Sequence, residues 1–320
     1  MNKSFEKVIL NATKAKELYK IEEIQDLWGG YGKILRYGLK GSDLNSVVVK
    51  NVCLPKNPGK LRGGNISYER KLKSYKVEMA FYKNWSGKCG NDCRVPKWYA
   101  FEWQKDEFLM VFEDLDEAGF GRRKGSVAWS DMQLCLKWLA HFHATFMGEK
   151  PENIWTQGTY WHLETRLDEL NAIKDTILKN AAKAIDRKLN ACKYKTFVHG
   201  DAKLQNFCFS DDGKGVAAVD FQYVGGGCGM KDVAYFVDSC LYDDECESWE
   251  KDVLDFYFKE LKMALESMEK DIDFDALEKE WRQLYHVAWA DFYRFLKGWA
   301  PGHYETGYSE RITHKVISSL

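Results

Sequence analysis

Hydrophobic positions recur at two different periods along the chain, and the switch between them predicts its organisation. Up to about residue 112 the apolar residues come in short runs, such as the β-branched Ser46-Val47-Val48-Val49-Lys50 and the strand Glu107 to Phe112, which runs into Glu113 and Asp114. Between these runs, residues 67–85 carry Leu72, Tyr75, Met79 and Tyr82 three or four apart, which predicts a helix with one apolar face. Beyond residue 112 the period becomes helical. Patterns of that kind cover residues 131–147, 163–190, 249–268 and 275–297, broken only by a loop and a hairpin near residues 196–223. In the first of these, Leu136, Leu139, Phe142 and Phe146 form a core stripe, and His141 and His143 are packing or hydrogen-bonding residues. Strands first and helices after predict an α+β chain.

The interruption carries the chemistry. Two apolar runs, residues 207–210 and 216–219, flank Asp211-Asp212-Gly213-Lys214-Gly215, which predicts a hairpin. The simplest register pairs residues whose numbers sum to 426, so that Asn206 faces Asp220 at the open end, with opposed side chains within roughly 5 Å. An amide oxygen beside a carboxylate suits Mg²⁺, which takes few protein oxygens and fills its shell with water and phosphate. Asp201 lies five residues earlier, on a loop entered from Thr196-Phe197-Val198, and is the candidate base. A base with nearby metal ligands is what phosphoryl transfer requires.

His199-Gly200-Asp201-x4-Asn206 followed by Asp220-Phe221-Gln222 resembles the core shared by aminoglycoside phosphotransferases, choline kinases and ecdysteroid-kinase-like proteins, relatives of the protein kinases. The resemblance implies Asp201 as catalytic base, Asn206 and Asp220 as Mg²⁺ ligands, and His199 as a support of the catalytic loop. It also implies a two-lobed, protein-kinase-like fold with a small antiparallel-sheet N-terminal lobe and a larger, mainly helical C-terminal lobe. Residues 1–112 would be the nucleotide-binding lobe, 113–118 the hinge, and 119–320 the catalytic and acceptor-binding lobe. Gln222 stands where protein kinases carry Gly, so a mobile Asp-Phe-Gly switch is not expected, and Ala-Pro-Glu is absent.

The remaining kinase parts are sought upstream in a set order. Lys50, closing its valine run, resembles the strand lysine that binds the α and β phosphates. Glu78 resembles the helix glutamate that pairs with that lysine, with Glu69 as the fallback. Backbone groups from Glu113 to Leu115 would bond adenine. Gly30 and Gly32, in Trp28-Gly29-Gly30-Tyr31-Gly32-Lys33, are candidates for the phosphate-covering loop, where missing Cβ atoms let amides approach phosphate. A Walker loop is excluded, because Gly32-Lys33 is followed by Ile34 rather than Ser or Thr.

Composition narrows the class further. The net charge is −1, with no segregated basic block, which argues against nucleic acid as the main partner. No apolar run approaches the ~18 residues that span a bilayer, and nine scattered cysteines suit reduced thiols, so a cytoplasmic enzyme without a membrane partner is expected. Cys89 and Cys93 lack the second ligand pair a zinc site needs. Gly225-Gly226-Gly227-Cys228-Gly229 would take an irregular path, and Asp232 would cap a helix or orient the catalytic loop. Near the C-terminus, Trp289, Phe292, Tyr293, Phe295, Trp299, His303, Tyr304 and Tyr308, with Asp291 and Glu305, offer either core packing or an acceptor surface for a quaternary ammonium or a flat alcohol. The expected activity is transfer of the γ-phosphate of ATP to a hydroxyl of a small molecule, using Mg²⁺. A catalytically silent protein of the same fold that binds nucleotide or ligand is the alternative. The sequence leaves the acceptor open among choline-like amines, sugars, aminoglycosides and sterol-like alcohols, and leaves the oligomeric state unread.

Overall fold

The valine run becomes β3 (Ser46–Cys53), the middle strand of a five-stranded antiparallel sheet ordered β1-β2-β3-β5-β4. The other strands of the sheet are β1 (Glu17–Asp26), β2 (Gly32–Lys40), β4 (Trp98–Gln104) and β5 (Glu107–Glu113), of which β2 and β5 pair with β3. A computed structural model of the chain describes residues 3–54, 64–300 and 307–320. Alternation gives the sheet two faces. On one, Val47 and Val49 join Leu35, Tyr37, Leu39, Leu109 and Val111 beneath Phe5 and Ile9 of α1 (Lys3–Thr13). On the other, Lys50 lies opposite Met110 and two residues from the Val52 to Phe108 pair. Helix α2 (Gly64–Asn84) covers this second face, with Tyr75 against Phe108 at 5.1 Å and Tyr82 against Phe112 at 4.6 Å between ring centres. The strand thus turns Val47 and Val49 toward α1 and Lys50 toward α2.

The chain forms two compact units that are not continuous in sequence. One comprises Met1–Gly87, Val95–Arg122 and Cys208–Val219, the other Lys88–Arg94, Arg123–Phe207 and Asp220–Leu320. Residues 113–118, the expected hinge, fall within the first of these units. Cys208 and Ala217 of the hairpin bury themselves against Leu115, and Arg122 bridges to Phe209, which gathers residues 208–219 into the sheet unit.

That hairpin is β7 (Phe207–Phe209) with β8 (Val216–Ala218). Its register departs from expectation by one residue. Ser210 N–H donates to Gly215 O at 2.8 Å, and 210 + 215 gives a sum of 425, as do the two strand spans. The Ser210 hydroxyl explains the shift. It accepts from the amides of Lys214 and Gly215, at 3.0 and 2.9 Å, and closes a shorter loop than the Asp-Gly pair suggests. Asn206 is therefore not directly across from Asp220 in the ladder.

The second unit is helical, with α3 (Trp129–Thr145), α4 (Leu167–Ala172), α5 (Thr176–Asn190), α6 (Met230–Cys240), α7 (Asp243–Ser267), α8 (Phe274–Trp299) and α9 (Gly307–Ser318). The expected single helix over residues 163–190 is broken at Asp175, whose carboxylate caps α5 by accepting from Ile177 and Leu178 amides. The glycine run is not irregular. Gly225–Gly227 is strand β9, paired antiparallel with β6 (Thr196–Val198). Glycine is needed there because a neighbouring backbone crosses close above: a Cβ on Gly225 would lie 2.2 Å from Trp155 O, and one on Gly226 2.7 Å from Thr156 O. Cys93 is buried, its Sγ 3.6 Å from Thr145 Oγ1 on α3. Among the described residues no group of three or more His, Cys, Asp or Glu is placed to hold a metal, and no helix is long and apolar enough to cross a membrane.

Candidate active site

In the sheet unit, the Lys50 ammonium lies 2.7 Å from Glu78 Oε2, with Lys50 4% and Glu78 2% exposed. Glu78, not Glu69, is the partner. Gly30 lies in the turn joining β1 to β2 and Gly32 opens β2, at φ values of 75° and 135°. A Cβ on Gly32 would meet Asn51 O at 2.1 Å, so this glycine is required by close packing as well as by its backbone angle. Glu113 ends β5, its amide bonded to Lys97 O at 2.8 Å and its carboxylate accepting from the Lys97 amide at 2.9 Å. The Asp114 and Leu115 carbonyls accept from the Ala118 and Phe120 amides. Asp114 itself is buried, accepting from Arg36 Nε at 2.7 Å and from the Ser46 hydroxyl at 2.6 Å, an anchor that sequence reasoning missed.

In the helical unit, one face of α6 holds the loop of residues 199–204. Asp232, Tyr235 and Ser239 are spaced i, i+3 and i+7, which aligns them on that face. Asp232 accepts the amides of His199 and Gly200 at 2.5 and 2.9 Å. Tyr235 donates its hydroxyl to Asp201 Oδ1 at 3.2 Å, and Ser239 Oγ accepts the Leu204 amide at 3.0 Å. His143 of α3 donates from Nε2 to Asp232 Oδ2 at 3.1 Å, since a carboxylate can only accept; its Nδ1 then accepts from the Tyr257 hydroxyl at 2.8 Å. His199 is fully buried, receives the Asp201 amide on Nδ1 at 3.2 Å, and packs 4.5 Å from Phe221. Gly200 has φ 81°, and a Cβ there would strike Tyr223 O at 2.1 Å.

Asp201 is presented with its two oxygens in different company. Oδ1 meets Tyr235, whereas Oδ2 accepts from Asn206 Nδ2 at 3.1 Å and lies 3.5 Å from the Lys203 ammonium. Burial pushes the Asp201 carboxyl up to about 6, with the Lys203 charge pulling it down and the Asp220 charge pushing it further up. Asp220 therefore shares the electrostatic neighbourhood of Asp201 despite the shifted hairpin register. It leaves the hairpin at φ 69°, and Gln222 Nε2 donates to its Oδ1 at 2.5 Å. The Gln222 carbonyl is held in turn by Trp155 Nε1 at 2.8 Å.

An aromatic wall adjoins Asp201. Trp161, Tyr235, Phe292, Phe295 and Leu296 form one buried cluster with Tyr160 packed against it, and the Tyr160 hydroxyl donates to Tyr235 at 3.3 Å. Arg166 stacks over Tyr160 and Phe295, 5.9 and 5.1 Å from their ring centres. Trp299 is half exposed and stacks on Phe295. Tyr235 was legible from its i+3 spacing to Asp232, but Tyr160 and Arg166 sit in irregular chain that leaves no periodic signal. Other C-terminal aromatics are structural: Tyr308 is buried, bonds Glu250 through its hydroxyl and pins α9 to α7, while Trp289 donates to Ser309. His303, Tyr304 and Glu305 lie outside the described residues.

His162, behind this wall, is 3% exposed, and burial pushes its imidazole down to about 4, with the Lys231 and Arg166 charges adding to the effect. Its unfolded value is about 6.5. The folded state thus refuses a proton that the unfolded chain accepts, so this residue's contribution is intact above pH ~6.5 and lost as pH falls toward ~4. His162→Gln is expected to flatten the acid decline of stability by about 1 kcal/mol per pH unit in that window, read from urea midpoints at pH 7.5 and 5. An unchanged slope would remove His162 as its source.

A family model described as ecdysteroid kinase-like matches residues 40–157 and 155–270. No curated protein matches the chain. Among solved structures, a Plasmodium vivax ethanolamine kinase is similar with a TM-score of 0.50 at 12% identity, over 96% of this chain and 84% of its own. An aminoglycoside-3'-phosphotransferase of type VIII gives 0.45 at 14% identity, over 87% of this chain and 95% of that one. A choline kinase from Streptococcus pneumoniae gives 0.43 at 15%, over 99% and 100%.

Proposed function

The chain belongs to the ecdysteroid kinase-like family, and from that premise we propose that it is an ATP-dependent O-phosphotransferase acting on a hydroxyl of a small molecule. The observation that carries the reading is Asp201. It is a buried carboxylate on a loop fixed by Asp232, with Asn206 on one oxygen and the Asp220 charge nearby. In this reading Asp201 orients the acceptor hydroxyl and takes its proton, and Lys50, held by Glu78, binds the α and β phosphates. Adenine would lie against the backbone of residues 113–115, where β5 ends at Glu113. Gly30 and Gly32 would let amides approach the phosphates.

Asn206 and Asp220 would hold Mg²⁺. The donor set fits a hard cation, because both offer oxygen and Asp220 adds its negative charge to that of Asp201. When bound, the ion would neutralise charge that builds on the phosphate oxygens. Gln222 would act as an outer support, steadying Asp220 through its amide.

The wall beside Asp201 favours an acceptor without a permanent positive charge. Arg166 already occupies faces of Tyr160 and Phe295, so a quaternary ammonium would meet a like charge where it needs ring faces. The silent alternative is weaker, because no candidate residue for base or metal ligand is replaced and Lys50 keeps an acidic partner in Glu78.

The test is ADP release with a panel of hydroxylated compounds. Release that needs both Mg²⁺ and an acceptor, with the label of γ-labelled ATP recovered on the acceptor oxygen, is the expected result. Nucleotide binding without transfer to any compound would overturn the reading in favour of the silent one. Gln222→Ala should raise the Mg²⁺ concentration for half-maximal activity by about 10-fold, as loss of a ligand's outer partner does.

A further inference from the structure

The two hydroxyls of Tyr160 and Tyr235 end on the carboxylate oxygen that the metal side leaves alone. Oδ2 of Asp201 is occupied by Asn206 and faced by Lys203, whereas among the described residues Oδ1 receives only the Tyr235 hydroxyl. A carboxylate oxygen offers two acceptor directions. With Tyr235 in one, the other is open.

We infer that Tyr235, steadied by Tyr160, is a positioning residue for phosphate transfer: its hydroxyl fixes the Asp201 carboxylate so that the open lone pair of Oδ1 faces the acceptor hydroxyl. The inference rests on the transferase reading above. Both phenols are held in place by the fold. Tyr235 lies on α6 one turn from Asp232, and the Tyr160 amide bonds to Gly200 O at 3.1 Å, so donor, relay and base hang on the same short loop. Thr159, at φ 96° and fully buried, turns the chain so that Tyr160 reaches its partner. Burial raises both phenols well above their ordinary range, so each keeps its proton and remains a donor at any working pH.

The reaction balances without either tyrosine changing state. The acceptor O–H bond breaks as its oxygen bonds to the γ-phosphorus, and the proton passes to Asp201 Oδ1. The bridging P–O bond breaks with its electron pair going to the β-phosphate oxygen of ADP. Tyr235 keeps its proton and holds the carboxylate in the angle that in-line attack requires, where small misplacement is costly.

The experiment is a double-mutant cycle on acceptor-dependent ADP release, with Tyr235→Phe and Asp201→Asn made singly and together. A hydrogen bond to a charged group is worth enough that Tyr235→Phe should lower kcat about 10- to 100-fold, with KM for ATP unchanged. In the Asp201→Asn background the same change should cost less than about 2-fold, because the residue acts through the carboxylate. An equal loss in both backgrounds, a shifted KM for ATP, or an unchanged kcat would overturn the role. Tyr160→Phe, which removes only the donor to Tyr235, guards against a variant that fails to fold; it should lower kcat by about 3-fold with the same dependence on Asp201, and no effect in any background would also count against the relay. The two readings fail differently. Wild-type turnover that Asp201→Asn leaves untouched overturns the transferase reading and this role with it, whereas turnover that needs Asp201 and ignores Tyr235 overturns this role alone.

Discussion

Asp201→Asn is expected to slow acceptor-dependent ADP release by about 10²- to 10⁴-fold, the usual loss when a general base is removed. The substitution is close to isosteric. An asparagine can still accept the Tyr235 hydroxyl through its oxygen, but it has no charge to draw the acceptor proton and no basicity to take it. Nucleotide affinity should stay within about 3-fold, since Lys50 and the backbone of residues 113–115 are untouched and uniform binding does not depend on the base. Folding should hold or improve, because burial already works against the charged form of Asp201 and the amide relieves that cost. The measurements are single-turnover transfer from γ-labelled ATP, a nucleotide titration and a thermal melt. Unchanged turnover with a folded protein would sink the assignment of Asp201.

How far this site could be read from the sequence depends on whether a residue's partner lies at a regular spacing. Lys50 was legible because a β-branched strand and an apolar helix follow in order, and alternation along β3 turns it toward α2, where Glu78 lies 2.7 Å away. The face of α6 was legible in principle, because Asp232, Tyr235 and Ser239 recur at helical spacing and each bonds the loop of residues 199–204. The hairpin register was misread because a serine hydroxyl, rather than Asp-Gly geometry, closes the loop. A one-residue slip of that kind turns the side chains over.

The glycine run was misjudged for a related reason. Glycines in a row suggest irregular chain when local propensity is the guide, yet β9 forms because the backbone at Trp155 and Thr156 passes within contact of it, a demand set by tertiary packing. Tyr308, left open between core packing and an acceptor surface, is core, because α9 folds back and its hydroxyl finds Glu250 at 2.6 Å. Tyr160 and Arg166 had no periodic signal, because the chain around them is held by Thr159 in a backbone conformation that β-branched residues rarely adopt.

Asp232→Ala is expected to cost about 3–5 kcal/mol of stability, because each buried donor left without its acceptor costs roughly 1–3 kcal/mol. The carboxylate is fully buried and accepts from two loop amides and from His143 Nε2, so its loss leaves three donors without an acceptor in a dry interior. Asp232→Asn should cost less, because its amide oxygen can keep one amide bond, but its NH₂ would face the donors that the second oxygen now accepts. Both variants should be less active than their folded fraction predicts, since Asp201 rides on the loop those amides fix. Urea unfolding gives the first quantity. Amide hydrogen exchange at His199 and Gly200 reports on the loop: protection there should fall by more than protection in α9, which packs mainly on α8 and α7. Equal losses across the unit would mean that Asp232 supports the fold as a whole and does not specifically hold the loop.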